Sequence, residues 1–204
     1  MIHKDYICEV LGRFEGKAIQ TGYIPCKGGN YLGVGIWEGR EVFGASGVTI
    51  GTGVDLGQQT SGGLQKMGVS QTLVEKLTPY LGLKRQAALK KLNEIPLRLT
   101  AEEIKELDTA VKTSYINEAA RLFGREAFEK SPKQVQAVAV SLHYQFGTLF
   151  RAASPALASA WGAMQRGEYS VAAGHLRFLA GWSPDHQQYM VRRRAEAALL
   201  EEVV

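Results

Sequence analysis

The sequence predicts an α+β fold in which a small N-terminal lobe with a short antiparallel sheet precedes a larger, all-helical lobe. Two observations predict it. Glycine is concentrated at the start of the chain, where 15 of the 23 glycines fall within residues 1–63 among short β-prone runs. From Ser70 onwards, apolar residues recur with helical spacing almost throughout. We therefore expect one domain over residues 1–204, divided into lobes 1–63 and 64–204, with a ligand-binding cleft between them.

The small lobe is expected to begin with an amphipathic helix over residues 4–14. Its apolar side chains recur at helical spacing, and Gly16 is expected to end it. The runs 31–36 and 48–52 are short, β-prone and bounded by glycine-containing turns. They predict strands of the small antiparallel sheet, which we expect between residues 23 and 55.

The larger lobe begins with a recognisable helix start. In Thr100-Ala101-Glu102-Glu103 the threonine oxygen and the last glutamate can each accept a backbone N–H, which predicts a helix running towards Phe123. The nearly all-apolar segment 135–146 predicts the central core helix, with His143 as a satisfied core histidine, and further helices are expected around 155–166 and 169–180. Two more helix starts, each combining an N-cap serine with a following proline, are expected at Ser131-Pro132 and Ser183-Pro184.

Composition excludes several classes of protein. Hydrophobic residues make up 45% and charged residues 22% of the 204, which is typical of a folded globular chain. No apolar run approaches the ~18 residues that a membrane span needs, and charges at Lys4 and Asp5 interrupt the N-terminus where a secretory signal would be apolar. The two cysteines, Cys8 and Cys26, cannot by themselves form a disulfide scaffold or a four-ligand zinc site.

Motifs for a cofactor or a metal are lacking. The glycine-rich run 51–57 has three residues between its second and third glycines where a dinucleotide loop has two. The four histidines show neither an HExxH motif nor a CxxC companion. We therefore expect no cofactor and no metal.

The net charge of +4 is unevenly distributed. The first 63 residues carry a net charge of −1 and the remainder +5. Such a basic lobe favours anionic polymers, of which nucleic acid and the bacterial cell wall are two. The densest basic run, Arg192-Arg193-Arg194, lies in a helical pattern, where three consecutive side chains must fan out around the axis. Charge alone does not choose between these partners.

Two carboxyl groups in the small lobe have the surroundings that acid–base chemistry needs. Glu15 follows Leu11 by four residues, at the edge of the apolar stripe in the last helical turn. Partial burial and the negative end of the helix dipole both disfavour its ionised form, as a general acid requires. Asp55 follows a glycine-dense run whose backbone amides would keep a carboxylate ionised. This pairing is typical of glycoside hydrolases, although Asp55 could instead cap a following helix.

At these residues the sequence resembles the phage-type lysozymes, and most closely the pesticin-like muramidase domains of bacteriocins and secreted interbacterial toxins. The similar segments follow one another in order over nearly the whole chain. They are Phe14-Glu15-Gly16, Gly22-Tyr23-Ile24-Pro25, residues 46–58, residues 99–103, residues 136–147, and Trp182 followed by Arg192-Arg193-Arg194. The resemblance implies a lysozyme-like fold with the active site in the cleft between the lobes.

The same resemblance implies a catalytic glutamate, threonine and aspartate, which fall on Glu15, Thr49 and Asp55. Threonine comes first and aspartate six residues later, after an insertion from Cys26 to Ala45. Thr52 is a rival to Thr49, because on an extended strand the two side chains would point to opposite faces. Thr52, Tyr144 and Gln145 are the candidate substrate-binding residues.

The implied activity is hydrolysis of the β-1,4 bond between N-acetylmuramic acid and N-acetylglucosamine in peptidoglycan. A water between the two carboxyl groups would give inversion at the anomeric carbon. A wall-binding module without activity, a lytic transglycosylase, which needs one carboxylic acid only, and a nucleic-acid binder are the alternatives. We expect a monomer that binds a glycan strand, does not insert into a membrane, has no nucleic-acid partner, and as a toxin would have a cognate immunity protein. Without a leader it would be made in the cytoplasm and act in the periplasm or on the wall of target bacteria, after phage lysis, bacteriocin import or injection by a secretion machine.

Overall fold

A computed structural model describes residues 1–147, 154–181 and 187–204. Most of the described residues are helical, and one three-stranded antiparallel sheet is formed, which confirms the α+β prediction. In chain order the elements are α1 (Lys4–Glu15), β1 (Ile19–Tyr23), β2 (Thr49–Gly51), β3 (Val54–Asp55), α2 (Ser61–Lys66), α3 (Gln71–Leu77), α4 (Arg85–Glu94), α5 (Ala101–Phe123), α6 (Arg125–Lys130), α7 (Lys133–Phe146), α8 (Pro155–Gln165), α9 (Tyr169–Gly181) and α10 (Gln187–Glu201). Among the described helices, none is both long enough and apolar enough to cross a bilayer.

The chain divides into two compact units, one formed by Met1–Phe14 with Tyr115–Val204 and the other by Glu15–Ser114. The division differs from the lobes 1–63 and 64–204 expected from the sequence. Glycine content marked a boundary of composition, whereas compactness depends on which elements pack together. That the whole chain forms a single domain with a cleft stays a prediction.

The sheet of the Glu15–Ser114 unit has the order β1-β2-β3, with antiparallel neighbours. The strand β3 has only two residues, because a 3-10 turn over Leu56–Gln58 follows it directly. Ile50 and Val54, which pair across β2 and β3, are buried, as is Val48 directly before β2, whereas Ile19 at the start of β1 is exposed. The sheet is therefore small but has an apolar interior face, which favours one register.

One predicted strand is wrong. Residues 31–36 form no strand; only Tyr31 pairs, in an isolated antiparallel bridge with Ile24. Gly33 and Gly35 adopt φ of +83° and +86°, a left-handed conformation that interrupts an extended chain. The segment is held instead by the Tyr31 hydroxyl, which donates a hydrogen bond of 2.7 Å to Asn93 Oδ1 on α4.

The predicted helix ends are confirmed where local chemistry sets them. α1 ends at Glu15, and Gly16 follows with φ +77°, the usual left-handed stop. At the start of α5 the Thr100 N–H donates to Glu103 Oε2 (2.8 Å), and the Glu103 N–H donates to Thr100 Oγ1 (3.2 Å). This is the reciprocal capping expected from the sequence.

The Ser131-Pro132 prediction is wrong in its cap. Pro132, not Ser131, precedes α7, and no side chain caps that helix. Ser131 instead ends α6, where its hydroxyl donates to the Ala127 carbonyl (2.8 Å), because a serine can return a bond to the preceding helical turn. The predicted helix start at Ser183-Pro184, and Trp182, lie outside the described residues.

The other unit is a helical assembly around α7. Every residue from Val135 to His143 is buried, which confirms the predicted core helix. α10 packs against α7, and α9 packs against α8 and α10. Aromatic edge contacts complete the core, with ring centroids of Phe123 and Trp161 5.4 Å apart. Helices α8 and α9 agree with the predicted 155–166 and 169–180 within a residue.

The arginine run in α10 fans out around the helix axis, as expected, but two of its three side chains are buried. Arg193 is fully buried, and its Nη2 donates to Glu196 Oε1 (2.6 Å), one turn along the same helix. Arg192 donates through Nε to the Ser141 hydroxyl (3.1 Å) and lies 3.4 Å from the same carboxylate. Only Arg194 of the three is exposed. Because α10 packs on α7, two of these charges are buried, and both depend on the Glu196 carboxylate to compensate their charge.

Candidate active site

One residue from each of the three strands lies in a row that runs across the sheet. Tyr23 of β1 is paired with Thr49 of β2, and Thr49 is paired with Asp55 of β3. Directly opposed residues of antiparallel strands point to the same face. The opposite face is filled, because a Cβ added to Gly22 would lie 2.9 Å from the Leu97 Cβ. The row of Tyr23, Thr49 and Asp55 therefore faces away from that packed side.

Asp55 is fixed by one of its two oxygens. Its Oδ1 accepts hydrogen bonds from the backbone N–H of Gly57 (2.8 Å) and of Gly47 (3.0 Å). The first bond caps the 3-10 turn over Leu56–Gln58, so the capping role considered for Asp55 is real. Both bonds use the same oxygen, which leaves Oδ2 of the half-buried carboxylate for another group.

Glycine is needed at both amides that hold Asp55. The backbones of Gly47 and Gly57 touch each other and the carbonyl of Leu83: a Cβ added to Gly57 would lie 2.6 Å from the Leu83 oxygen and 2.9 Å from the Gly47 Cα. Any larger side chain would push the loop away from Asp55. The glycine density that the sequence shows here thus serves the close approach of three backbone segments.

The two candidate threonines have different surroundings. Thr49 lies in β2 beside Asp55, and its hydroxyl donates to the Gly47 carbonyl at 3.4 Å. Thr52 lies in the turn after β2, where its N–H donates to Asp108 Oδ1 (3.2 Å). The Thr52 Oγ1 is buried and makes no hydrogen bond within the described parts of the chain. Of the two threonines, only Thr49 therefore shares a row with Asp55.

Glu15 lies at the turn of the same hairpin. A Cβ added to Gly53, two residues before Asp55, would lie 3.4 Å from Glu15 Oε2. Gly53 has φ +96° and is exposed, so the Glu15 carboxyl group lies against bare backbone at this turn. Glu15 itself is half-buried, as its place at the edge of the apolar stripe predicted. Glu15 thus lies beside the turn that leads into the strand carrying Asp55.

Tyr23 is a residue of this site that sequence reasoning did not assign. Burial, followed by the negative charges of Glu15 and Asp55, raises the pKa of the Tyr23 phenol. Both carboxyl groups are therefore close enough to act on it, and the phenol stays protonated in neutral solution. The sequence signal that could have identified Tyr23 is its segment, Gly22-Tyr23-Ile24-Pro25, which is one of the segments that carry the family resemblance.

Asp108 is the second residue that the sequence did not single out. It is buried on α5, and its Oδ1 lies 2.6 Å from the place where a Cβ on Gly51 would be. Together with the bond from the Thr52 N–H, this contact holds the turn whose Gly53 lies next to Glu15. Nothing in its local helical pattern distinguishes Asp108 from the exposed carboxylates around it.

The remaining predicted residues, Tyr144 and Gln145, belong to the other compact unit. The Tyr144 ring is 4.7 Å from that of Tyr115, in a tilted aromatic pair. Gln145 is exposed, and its Oε1 accepts a 2.7 Å bond from Arg193 Nη2. Tyr144 thus has a packing role within its unit, and the orientation of the Gln145 amide is set by an arginine.

His143 is a core histidine and not part of a metal site among the described residues. It is buried against Tyr115, as expected, but its Nδ1 has no hydrogen-bond partner in the part of the chain that the structure describes, so it is not fully satisfied there. Burial lowers its pKa. Within residues 1–147, 154–181 and 187–204, no group of three or more His, Cys, Asp and Glu side chains is placed to hold a metal ion.

The chain matches a family of known proteins. The sequence model of a family described as "Pesticin: Bacterial toxin homologue of phage lysozyme, C-term" matches residues 2–169. That match includes the whole Glu15–Ser114 unit, part of the other unit, and all the residues discussed above as site candidates. No curated protein matches the chain significantly.

Proposed function

Because the chain belongs to the Pesticin family of bacterial toxin homologues of phage lysozyme, we propose that it is a muramidase. It would hydrolyse the β-1,4 bond between N-acetylmuramic acid and N-acetylglucosamine in peptidoglycan. Glu15 would be the general acid, Asp55 the general base, and Thr49 the residue that holds the attacking water. The family membership supports a lysozyme-type toxin; the residues and the bond are our assignment.

One observation carries this assignment. Two carboxyl groups from different elements lie at one hairpin, Glu15 against Gly53 and Asp55 in the adjoining strand, with the Thr49 hydroxyl in register beside Asp55. Glycosidases need two such groups, one to protonate the leaving oxygen and one to activate water. The two candidates also differ in environment, since Asp55 is held by two backbone N–H groups.

The proposed reaction proceeds in a single displacement. Glu15 gives its proton to the glycosidic oxygen as the bond from that oxygen to the anomeric carbon breaks. Water attacks the same carbon from the opposite face, and Asp55 Oδ2 takes the proton that this water loses. Such a water requires a carboxyl separation of ~6.5–9.5 Å and inverts the anomeric configuration.

The anchoring of Asp55 suits this role. Two hydrogen bonds to Oδ1 fix the carboxylate plane, so that Oδ2 is directed without loss of side-chain entropy during the reaction. A base that is already oriented needs no reorganisation as charge moves. The family's name as a toxin further supports action on the wall of target bacteria and protection of the producing cell by an immunity protein, and we include both in the proposal.

The test uses purified sacculi and mass spectrometry of the released muropeptides, with Glu15→Gln as the variant. A neutral amide cannot donate the proton, so we expect release to fall about a hundredfold or more. Glu9→Gln is the matched control: it lies in the same helix, is exposed, and loses only a surface ion pair with Arg13. We expect it to act as the wild type does.

Each alternative gives a different result. Anhydro-ended products from the wild type would identify a lytic transglycosylase. Binding of sacculi without any release would identify a wall-binding module. Full activity of Glu15→Gln would remove Glu15 from the acid role, and retained anomeric configuration in NMR of the product would remove Asp55 from the base role.

A further inference from the structure

The Tyr23 side chain lies in the catalytic row without a role in the mechanism above. It is paired across the sheet with Thr49, which is paired in turn with Asp55. Cβ atoms of directly opposed residues are ~5 Å apart, and a tyrosine side chain extends beyond the threonine next to it. The Tyr23 phenol is also within electrostatic range of both Glu15 and Asp55. It therefore reaches the region where the two carboxyl groups act.

The hydroxyl of Tyr23 has no structural task. Within the described parts of the chain it makes no hydrogen bond, in contrast to the hydroxyls of Tyr31 and Tyr80, which donate to Asn93 Oδ1 and to the Ile95 carbonyl. The ring is half-buried rather than enclosed. A half-buried hydroxyl beside two carboxyl groups is available to a bound molecule.

The hydrogen-bond inventory of the row identifies which molecule that is. The Thr49 hydroxyl uses its hydrogen on the Gly47 carbonyl, so toward a water it can only accept. Asp55 Oδ2, when ionised, can only accept as well. A water that gives its two hydrogens to Thr49 and Asp55 keeps two lone pairs, one for the anomeric carbon and one without a donor. Tyr23 is the donor that the row supplies.

We propose that Tyr23 is a third catalytic residue of this row, whose hydroxyl donates a hydrogen bond to the attacking water that Thr49 and Asp55 hold. The assignment rests on the muramidase function proposed above. With three partners the water is fixed in position and its remaining lone pair is directed at the anomeric carbon. The phenol keeps its proton throughout: the proton that water loses goes to Asp55, and the one that the leaving oxygen gains comes from Glu15.

The test is a double-mutant cycle of Tyr23→Phe and Thr49→Val, measured as kcat and KM on soluble oligomers of alternating N-acetylglucosamine and N-acetylmuramic acid. Tyr23→Phe removes only the hydroxyl. We expect kcat to fall about tenfold with KM and Tm unchanged, since the lost bond is to water and not to sugar or protein. In the double variant the two losses should be less than multiplicative, because both groups act on one water.

Tyr80→Phe is the matched control. Its phenol is buried in the same unit, burial alone raises its pKa, and no carboxyl group acts on it. It should lose stability, through its bond to the Ile95 carbonyl, but not kcat.

The outcomes separate this inference from the proposed function. A wild-type protein that releases no product from the oligomers would overturn the muramidase assignment itself. An active wild type with unchanged kcat in Tyr23→Phe would overturn only the role of Tyr23. A change confined to KM would place the hydroxyl on the sugar, and fully multiplicative losses would show that Tyr23 and Thr49 act independently; either result contradicts the proposal.

Discussion

Asp55 has two separable tasks, one for each oxygen, and a pair of substitutions can distinguish them. Oδ1 accepts the N–H groups of Gly47 and Gly57, while Oδ2 is assigned to the water. Asp55→Asn keeps an oxygen for the two amides, since asparagine caps as well as aspartate does, but puts an NH2 group where the base should be. Asp55→Ala removes both oxygens.

The structure sets the size of the expected effects. Gly47 and Gly57 are both buried, so Asp55→Ala leaves two backbone N–H groups without a partner. Each such group costs ~1–3 kcal/mol, and because Asp55 itself is half-buried, water will recover part of the loss. We expect a total of about 2–4 kcal/mol, which for a chain of this size corresponds to a fall in Tm of roughly 5–15 °C. For Asp55→Asn we expect a loss within ~1 kcal/mol.

The assay combines thermal unfolding followed by circular dichroism with muropeptide release at a temperature where all forms are folded. Both variants should lose release by a similar factor, about a hundredfold or more, whereas only Asp55→Ala should lose Tm. If Asp55→Asn retained release, Asp55 would be a capping residue and not the base. If Asp55→Ala were as stable as Asp55→Asn, the two backbone hydrogen bonds would not hold the hairpin as argued.

Two further predictions follow from buried groups. Thr49→Val should lower kcat about tenfold. Thr52→Val should leave kcat unchanged and preserve or raise Tm, because it removes a buried hydroxyl that has no hydrogen-bond partner among the described residues. The reverse order of effects would make Thr52 the catalytic threonine. Burial lowers the pKa of His143 in the folded protein below the ordinary histidine pKa of ~6.5. Above pH ~6.5 the side chain is neutral and the fold keeps its full stability. That stability is lost as the pH falls from there through the lower pKa of the folded state, because the unfolded chain takes up the proton more readily. Tm measured from pH 7.5 to 5 should therefore decline more steeply in the wild type than in His143→Gln, and equal slopes would contradict this.

Local pattern was sufficient for much of the helical structure. The spacing of apolar residues located α1, α7, α8 and α9, because a buried face must repeat every three to four residues. Reciprocal capping at Thr100 and Glu103 likewise depends on residues within one turn, so it could be predicted and is found. The strand predicted over residues 31–36 was wrong for a local reason as well. Its β-branched and aromatic residues favour a strand, but the left-handed backbone of Gly33 and Gly35 interrupts it.

The sequence could not locate the interactions that depend on distant elements. Arg193 and Glu196 are ordinary helical charges by their spacing, and only the packing of α10 on α7 makes them a fully buried pair. Asp108 is one of several carboxylates on α5, and only the fold brings it to the Thr52 N–H. Tyr23 could not be assigned to the site from its neighbours in sequence, because the segment Gly22-Tyr23-Ile24-Pro25 contains no carboxyl group or histidine.

What the sequence determined by itself is the chemistry that can be supplied: a glutamate at the end of an amphipathic helix and an aspartate after a glycine-dense run. Both follow from residue type and short-range spacing, which local forces convert into helix and strand, whereas the threonine six residues before the aspartate was implied by the family resemblance. The tertiary structure decided which of these groups meet. Strand register put Thr49 rather than Thr52 beside Asp55 and added Tyr23 to the row, because hydrogen bonding between strands, set by contacts far apart in the chain, fixes which side chains share a face.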